Sequence, residues 1–452
     1  MRIQTCAFIV FALAFSRLTS AADLPPGAPS ECLQPPAGPI LTLQAAADRL
    51  RTCNPSILQA QAAVAAAEAD IITADHAQNP VLGLGVSNIN PKAGIGNGPL
   101  ADRTVDSAIR IDQLIERGGK RAARRNAATA TSSATHESLH DVELRSQEDL
   151  IEAYLNVAAA TESLDLLTQA AASYRQSAVA MDRRLSVGDV ARIEVSRTEL
   201  DAGRAEADAA AAAVALSEAR AQLAATLGAP RLDSELHLLT LDQLARREAA
   251  AAGQPASTDP LVSDRPDVKA AVARVDAARS SLDAARAARK SDVDVTLGFD
   301  HWPVSATNVQ GTGNSFTIGA SMPIHVFDSG RGPVGHAVAD VFAAESDLQH
   351  SRAAAEIEIR TAQEELANAQ ALAERYRTTL LPESTRILDA EEVAFRRGGA
   401  SLLDLLDARR NARQVALAAV AARRDREIAA ARLELASGHA PLSVLLSAPG
   451  NR

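Results

Sequence analysis

Small apolar residues recur along this chain with the three- and four-residue spacing of helices, over unusually long distances. Residues 100–229 contain no proline, and no helix breaker separates Lys120 from Leu185. At 1.5 Å per residue, one helix over that span would be about 100 Å long. The pattern therefore predicts helices far longer than those of ordinary globular domains.

The last long helix carries a heptad stripe. After Gly398 and Gly399, small apolar residues recur at spacings of three and four: Leu405, Ala408, Ala412, Val415, Ala419, Ala422, Ala429, Leu433 and Ala436. Because the stripe lasts for more than four heptads, it favours coiled-coil packing over a surface helix with a weak apolar face. Pro382 interrupts the preceding helical run, where it predicts a kink or a register shift.

Between the helices lie four segments in which apolar and polar residues alternate, as in half-buried strands. The apolar positions of these predicted membrane strands are Leu82, Leu84, Val86, Ile109, Ile111, Val295, Leu297, Phe299, Phe316 and Ile318. Strands of about 9 to 11 residues can cross a bilayer with one face in lipid. A soluble β-sandwich would show the same alternation.

The chain also repeats itself at an interval of about 210 residues. Asn54-Pro55 is matched by Arg265-Pro266, and Leu227-Gly228 is matched by Ser437-Gly438. Each half reads as helix, two strands, very long helix, turn and helix. Such a repeat indicates two copies of one structural unit.

The N-terminus has the pattern of a secretory signal. Arg2 precedes an apolar stretch at residues 6–15, and small residues follow at 20–22. The predicted organisation is a signal peptide (1–22), a proline-rich extension (23–42), a first repeat (43–228), a connector (229–264), a second repeat (265–438) and a tail (439–452).

Composition narrows the class of protein. The 452 residues are 47% hydrophobic but only 3% aromatic, and the net charge is −10. The apolar content is largely alanine, which favours closely packed helices over a compact aromatic-rich enzyme. The acidic balance argues against nucleic acid as a partner. Beyond the signal, no apolar run reaches the ~18 residues of a membrane-spanning helix, so any membrane crossing is expected to use strands.

Two cysteines remain after the predicted signal is removed. Cys32 and Cys53 enclose 20 residues, and in an oxidising compartment they can form a disulfide. The alternative is two unrelated thiols.

Four strands are too few to seal a pore, since the smallest transmembrane barrels have about eight. If the strands span a membrane, several copies must therefore share one barrel, because open edges in lipid leave backbone groups unpaired. Three copies would supply twelve strands.

Several local segments carry a family resemblance. They are residues 115–121 at the exit of the second strand, 183–188 and 398–408 at two turns, and 380–383 at the helix containing Pro382. On these segments and the duplicated pattern, the sequence resembles the TolC-like outer membrane efflux proteins, and in particular their cobalt-zinc-cadmium resistance branch.

The resemblance implies a mainly α-helical fold with a membrane β-barrel part. Three chains would form a twelve-stranded barrel that continues as a long α-helical coiled-coil tunnel in the periplasm. It also implies a homotrimer in the outer membrane lipid, docked to a periplasmic adaptor protein and an inner membrane RND pump. Such a conduit exports substrates, here heavy-metal cations, without a cofactor or enzymatic activity.

The resemblance also assigns site residues. Asp404 and Asp407 match the acidic rings that narrow the tunnel, although Ser401 and Asp404 also fit a helix capping box. The hairpin tips that would contact the adaptor are Leu185, Ser186, Val187, Gly188, Phe395, Gly398, Gly399 and Ala400; the alternative is that their glycines only turn the chain. Phe395 and Ala400 stand where family members use a tyrosine and an arginine to lock the closed end, so those polar links cannot form here.

Two other classes of function compete with this interpretation. His136-Glu137-Ser138-Leu139-His140 is an HExxH sequence, which on a helix can bind zinc in a metallopeptidase, with Glu162 as a possible third ligand. The motif lies inside a long predicted helix without a cleft, which favours incidental surface histidines and no metal site. A secreted coiled-coil structural protein is the other alternative.

Overall fold

The computed structural model describes residues 32, 34, 40–87, 89, 105–232, 237–238, 262–303 and 313–440. The predicted signal peptide (1–22) lies outside these residues. So do most of the predicted extension, connector and C-terminal tail, and much of the two loops that join the paired strands.

The first repeat follows the predicted order of elements. It contains β1 (Ile40–Leu41), α1 (Leu43–Cys53), α2 (Pro55–Ala74), β2 (Val81–Ser87), β3 (Asp106–Ile115), α3 (Lys120–Ser186) and α4 (Arg192–Thr226). α3 is a single helix of 67 residues, which confirms the very long helix predicted from the absence of breakers.

The second repeat begins after β4 (His237–Leu238) and a short 3₁₀ turn. It contains α5 (Pro266–Ala288), β5 (Val293–Trp302), β6 (Gly313–Ser321), α6 (Arg331–Arg375), a π-helix (Tyr376–Leu380), α7 (Leu381–Arg396) and α8 (Leu402–Ala436). The π-helix ends two residues before Pro382 and shifts the helical register there, as the proline predicts. None of the helices described is both long and apolar enough to cross a membrane.

The four longer strands form one antiparallel sheet in the order β2-β3-β5-β6. Its register places Leu82, Ile111, Leu297 and Ile318 side by side in one row across the sheet. Within one chain, β2 and β6 are the two edges of this sheet. A separate parallel pair, β1 with β4, joins the start of the first repeat to the connector.

The main core lies where α1, α2, α3, α4 and α8 meet, and it is built largely from alanine and leucine. Tyr154 is its largest fully buried side chain, and its hydroxyl donates a hydrogen bond to the Leu41 carbonyl oxygen at 2.8 Å. Along α8, six residues of the predicted heptad stripe are buried: Leu405, Ala408, Ala419, Ala422, Ala429 and Ala436. Alanine at these positions lets the helices approach closely.

The two cysteines are joined in the structure. Cys32 and Cys53 form a disulfide with their Cα atoms 5.4 Å apart, within the usual range for such bonds. Arg49 of α1 reinforces this attachment by donating to the carbonyl oxygens of Cys32 at 3.0 Å and Gln34 at 2.7 Å. A short piece of the N-terminal extension is therefore held against the first repeat.

Candidate functional site

The first candidate surface is the apolar face of the β-sheet. All ten residues predicted as apolar membrane-strand positions lie on this one face, because the strand register aligns their rows. Many are strongly exposed in the single chain, with 74% of Leu84 and 81% of both Phe316 and Ile318 accessible. Phe299 and Phe316 pack against each other across the β5–β6 pair, with ring centroids 5.2 Å apart. An apolar patch of this extent indicates contact with lipid or another protein surface.

The opposite face of the same sheet is polar. It presents Asp106, Arg110 and Asp112 from β3 and Asp294 and Asp300 from β5. On β2 and β6 this face carries glycine, serine and threonine at most positions. The sheet thus has the alternation of a wall with lipid on one side and water on the other.

The second candidate surface is the turn between α3 and α4. Leu185 and Ser186 end α3, Val187 follows as the C-cap residue, and Gly188 adopts the left-handed conformation with φ 78°. The Gly188 amide donates to the Leu185 carbonyl oxygen, and the next amide, of Asp189, donates to the Arg184 carbonyl oxygen. This is a glycine-terminated helix end, and it leaves the Val187 side chain 79% exposed at the tip.

The turn between α7 and α8 repeats this geometry. Gly398 has φ 74°, its amide donates to the Phe395 carbonyl oxygen, and the Gly399 amide donates to the Ala394 carbonyl oxygen at 2.8 Å. Phe395 and Ala400 are half-buried beside the exposed glycines. Both tips therefore carry the same backbone turn, which accounts for Gly188 and Gly398 whether or not a partner binds there.

Asp404 lies in the first turn of α8 and completes a capping box. The Asp404 amide donates to Ser401 Oγ at 3.2 Å, while Asp404 Oδ2 accepts from the Ser401 amide at 3.1 Å and from Ser401 Oγ at 2.7 Å. These hydrogen bonds hold the pKa of Asp404 below its ordinary value, because they favour the charged carboxylate. The capping alternative considered from the sequence is thus present in the structure, and the carboxylate stays ionised.

Asp407 lies one turn further along α8 and is largely exposed. Its Oδ1 accepts from Arg410 at 3.1 Å, and its Oδ2 accepts from the Asn411 side chain at 3.5 Å. The two acidic residues thus remain on the same helix end, but Asp407 has a guanidinium beside it. The field from this pair is weaker than two free carboxylates would produce.

A family model for outer membrane efflux proteins matches residues 46–229 and 260–439. The two matched ranges coincide with the two structural repeats, and together they cover most of the chain. The chain belongs to the outer membrane efflux protein family. The resemblance found in the sequence is therefore confirmed.

Individual relatives support the same fold. The chain is 26% identical over 374 residues to the cobalt-zinc-cadmium resistance protein CzcC of Cupriavidus metallidurans, covering 83% of this chain and 84% of that protein. The MtrE outer membrane channel of Neisseria gonorrhoeae, solved in its open state, superposes with a TM-score of 0.69 at 18% identity over 88% of this chain and 89% of its own. The channel protein CusC superposes with a TM-score of 0.62 at 20% identity over 90% and 98%.

In this efflux protein the HExxH residues lie on the surface of α3. His136 Nε2 is 3.2 Å from Glu68 of α2, and His140 Nδ1 is 3.7 Å from Glu143 on its own helix. Glu162 instead pairs with Arg423 of α8. No group of three or more metal-ligating side chains is found among the residues described.

Two arginines of α8 in this efflux protein were not predicted as functional residues from the sequence. Arg409 donates to Ser177 of α3 at 2.7 Å and to Glu392 of α7 at 2.9 Å, and Arg413 pairs with Asp208 of α4 at 2.9 Å. They link the two hairpins near the tips, where Phe395 and Ala400 lack polar groups. The spacing of four residues between Arg409 and Arg413, beside the heptad stripe, is the signal that could have indicated them.

Proposed function

We propose that this chain is the outer membrane channel of a tripartite RND-type efflux system and that its substrates are heavy-metal cations. One observation carries the channel role. A sheet with one exposed apolar face, one charged face and two edges unpaired among the described residues sits at one end of 100-Å-scale helices, in a chain matched to efflux proteins over both repeats. A sheet of this kind meets the requirements of a membrane wall only when its edges are paired.

The metal substrate class is supported by similarity to CzcC, a cobalt-zinc-cadmium resistance protein. The conduit itself needs no tight metal site, because it offers a path and does not select by coordination. The pump and the adaptor select the substrates that enter the conduit.

The proposed assembly is a homotrimer. Three four-stranded sheets close one twelve-stranded barrel, because β2 of one copy can pair antiparallel with β6 of the next. The helices of the three copies continue the barrel into the periplasm. An adaptor protein and an inner membrane RND pump complete the path.

Within this assembly, Asp404 and Asp407 line the inner aperture, and the two glycine turns contact the adaptor. The exposed Val187 side chain is the most prominent group at the first tip. It is a better test of docking than Gly188, since any side chain at a positive φ also strains the turn.

A resistance assay tests the function. Deleting the gene should lower the concentration of cobalt, zinc or cadmium that the host tolerates, and the full chain should restore it. Val187→Glu should abolish the restoration while leaving the trimer intact, and Val187→Ala is the matched control. Unchanged tolerance of all three metals on deletion would refute the substrate class.

A bilayer assay tests the conduit separately. The purified protein should be a detergent-dependent trimer that conducts ions in planar bilayers, and Asp404→Asn with Asp407→Asn should lower its cation preference. Asparagine is preferred to alanine because Asp404 also caps α8. A freely soluble monomer would refute the channel.

A further inference from the structure

All aspartate and arginine side chains of the four membrane strands lie on one face of the sheet. β3 contributes Asp106, Arg110 and Asp112, and β5 contributes Asp294 and Asp300, whereas β2 and β6 contain no acidic or basic residue. The register puts every one of these five residues on the face opposite the apolar rows. Four aspartates against one arginine give this face a net charge of −3.

Hydroxyl groups hold two of the carboxylates without neutralising them. Thr296 Oγ1 donates to Asp112 Oδ1 at 2.6 Å, and Thr317 Oγ1 donates to Asp300 Oδ2 at 3.2 Å. A hydroxyl donor leaves the charge of a carboxylate in place. Among the strand residues described, Arg110 supplies the one opposing charge on this face.

The apolar rows determine whether the charged face of the sheet points toward the lipid or toward the barrel interior. They run from Val293 to Phe299 along β5, about 20 Å at 3.3 Å per residue, which is close to the apolar band of about 25 Å on transmembrane barrels. The charged face must then line the interior. This step rests on the proposed channel function.

We propose that the charged face of the sheet sets the cation preference of the conduit, through Asp112, Asp294 and Asp300 opposed by Arg110. Three copies bring a net charge of −9 to the barrel interior. A carboxylate-lined passage with low-dielectric walls concentrates cations and excludes anions. The effect applies to hydrated cations as a class and requires no coordination site.

The acidic residues at the helix tips exert a weaker electric field than the charged face of the sheet does. Asp404 keeps its charge, but Arg410 lies beside Asp407, so these three residues carry a net charge of −1 per chain. On the described strands of the barrel wall, the four aspartates and Arg110 carry a net charge of −3 per chain. The barrel wall therefore contributes more to selectivity than the aperture does.

Reversal potentials in a potassium chloride gradient test this assignment. The full-length protein, reconstituted in planar bilayers, should prefer potassium over chloride. The triple variant Asp112→Asn/Asp294→Asn/Asp300→Asn should lower that permeability ratio by roughly threefold or more. Asp407→Asn should change it less. Raising the salt from 0.1 to 1 M should reduce the preference of the unaltered protein, because the screening length falls from about 10 to about 3 Å.

Arg110→Gln is the matched control, because it should change the permeability ratio in the opposite direction. It removes the opposing charge from the same face and should raise the ratio. If the triple variant does not assemble, Asp294→Asn alone and Arg110→Gln still move the ratio in opposite directions. An unchanged ratio in conducting variants would overturn the proposal, as would a larger change with Asp407→Asn. Absence of conductance from the unaltered trimer would instead overturn the channel function.

Discussion

In each repeat, a side chain just before one helix donates a hydrogen bond to the carbonyl oxygen at the end of the last helix, but the donor groups of the two repeats differ. In the first, the Asn54 side chain donates to the Thr226 carbonyl oxygen at 2.8 Å at the end of α4. In the second, the guanidinium of Arg265 donates to the Ala436 carbonyl oxygen at 2.8 Å at the end of α8. Each donor also stands directly before the proline that begins a helix. We call these contacts the first junction, at Asn54, and the second junction, at Arg265. The two junctions share a backbone acceptor position but differ in the charge of the donor group.

The surroundings of Asn54 and Arg265 also differ in charge. Asn54 is neutral and also caps α2 through its side-chain oxygen, and the disulfide at Cys53 lies next to it. Arg265 has a side chain only 5% exposed and pairs with Asp267 at 2.8 Å and Glu358 at 2.6 Å. A buried charge is tolerated only with such partners. The comparison teaches that one fold position can be secured by a covalent and neutral arrangement or by an ionic one.

The largest expected effect comes from removing the buried charge. Arg265→Met should lower the free energy of unfolding by about 3 kcal/mol, because it leaves two carboxylates without their partner. Asn54→Ala should cost about 1 kcal/mol, as for other caps. Denaturant unfolding followed by helical circular dichroism measures both. An equal loss of unfolding free energy in Asn54→Ala and Arg265→Met would contradict the conclusion that ion pairs stabilise the second junction.

The covalent link should matter nearly as much. Replacing Cys32 and Cys53 together by serine should lower the free energy of unfolding by roughly 2–3 kcal/mol, by the loop-closure argument. A reductant should have the same effect on the unaltered protein and none on the double variant. A reductant that leaves thermal unfolding of the unaltered protein unchanged would be inconsistent with a stabilising disulfide.

The glycines that end the two junction helices should differ in their tolerance of a side chain. Gly228 and Gly438 both have positive φ, 60° and 78°. A Cβ on Gly228 would lie 2.0 Å from the Cys53 carbonyl oxygen, whereas one on Gly438 would lie 3.3 Å from Arg265 Cα. Alanine at either position should cost about 1–2 kcal/mol for the backbone conformation.

At Gly228 the overlap with the Cys53 backbone adds to that cost, so Gly228→Ala should be clearly the less stable variant in the same unfolding assay. Equal losses for the two variants would mean that the first junction relaxes freely around the new methyl group.

The smallest effect should be a dependence on pH that only the second junction shows. Partial burial by itself raises the pKa of Asp267, but hydrogen bonds from Arg265 outweigh it and hold that pKa below the ordinary value. The stability that Asp267 confers is therefore complete above its unfolded pKa of about 3.9 and is lost as the pH falls through the lower folded pKa.

Unfolding at pH 7 and pH 3 measures this dependence. Asp267→Asn should flatten the loss of stability on acidification, whereas Asn54→Ala should leave its slope unchanged. An identical slope in Asp267→Asn and the unaltered protein would exclude this carboxylate as a source of acid sensitivity.

Local patterns in the sequence predicted most of the fold. Alternation predicted the apolar positions of each strand, and all ten lie on one face of the sheet. The absence of breakers predicted the 67-residue α3. The Ser401–Asp404 capping box was also readable, because it joins residues three positions apart. Strand charge was equally visible, since Arg110 and Asp112 alternate with isoleucines, but only the strand register showed that β3 and β5 carry their charges on the same face.

Contacts between distant segments were not predictable in this way. Arg409 and Ser177 are 232 residues apart, and Arg265 and Ala436 are 171 apart. No periodicity links such pairs, and many arginines offered the same donors.

The sequence by itself determined the elements, their lengths, the repeat and the turns, because these depend on hydrogen bonds and side-chain periods within a few residues. Tertiary structure alone decided which carbonyl oxygen Arg265 binds, that the sulfurs of Cys32 and Cys53 meet, and that Arg409 contacts Ser177 of α3. Those outcomes depend on how helices of 35 to 67 residues pack side by side. Packing brings together groups that the chain separates by hundreds of residues, and its geometry is set by all the contacting surfaces at once.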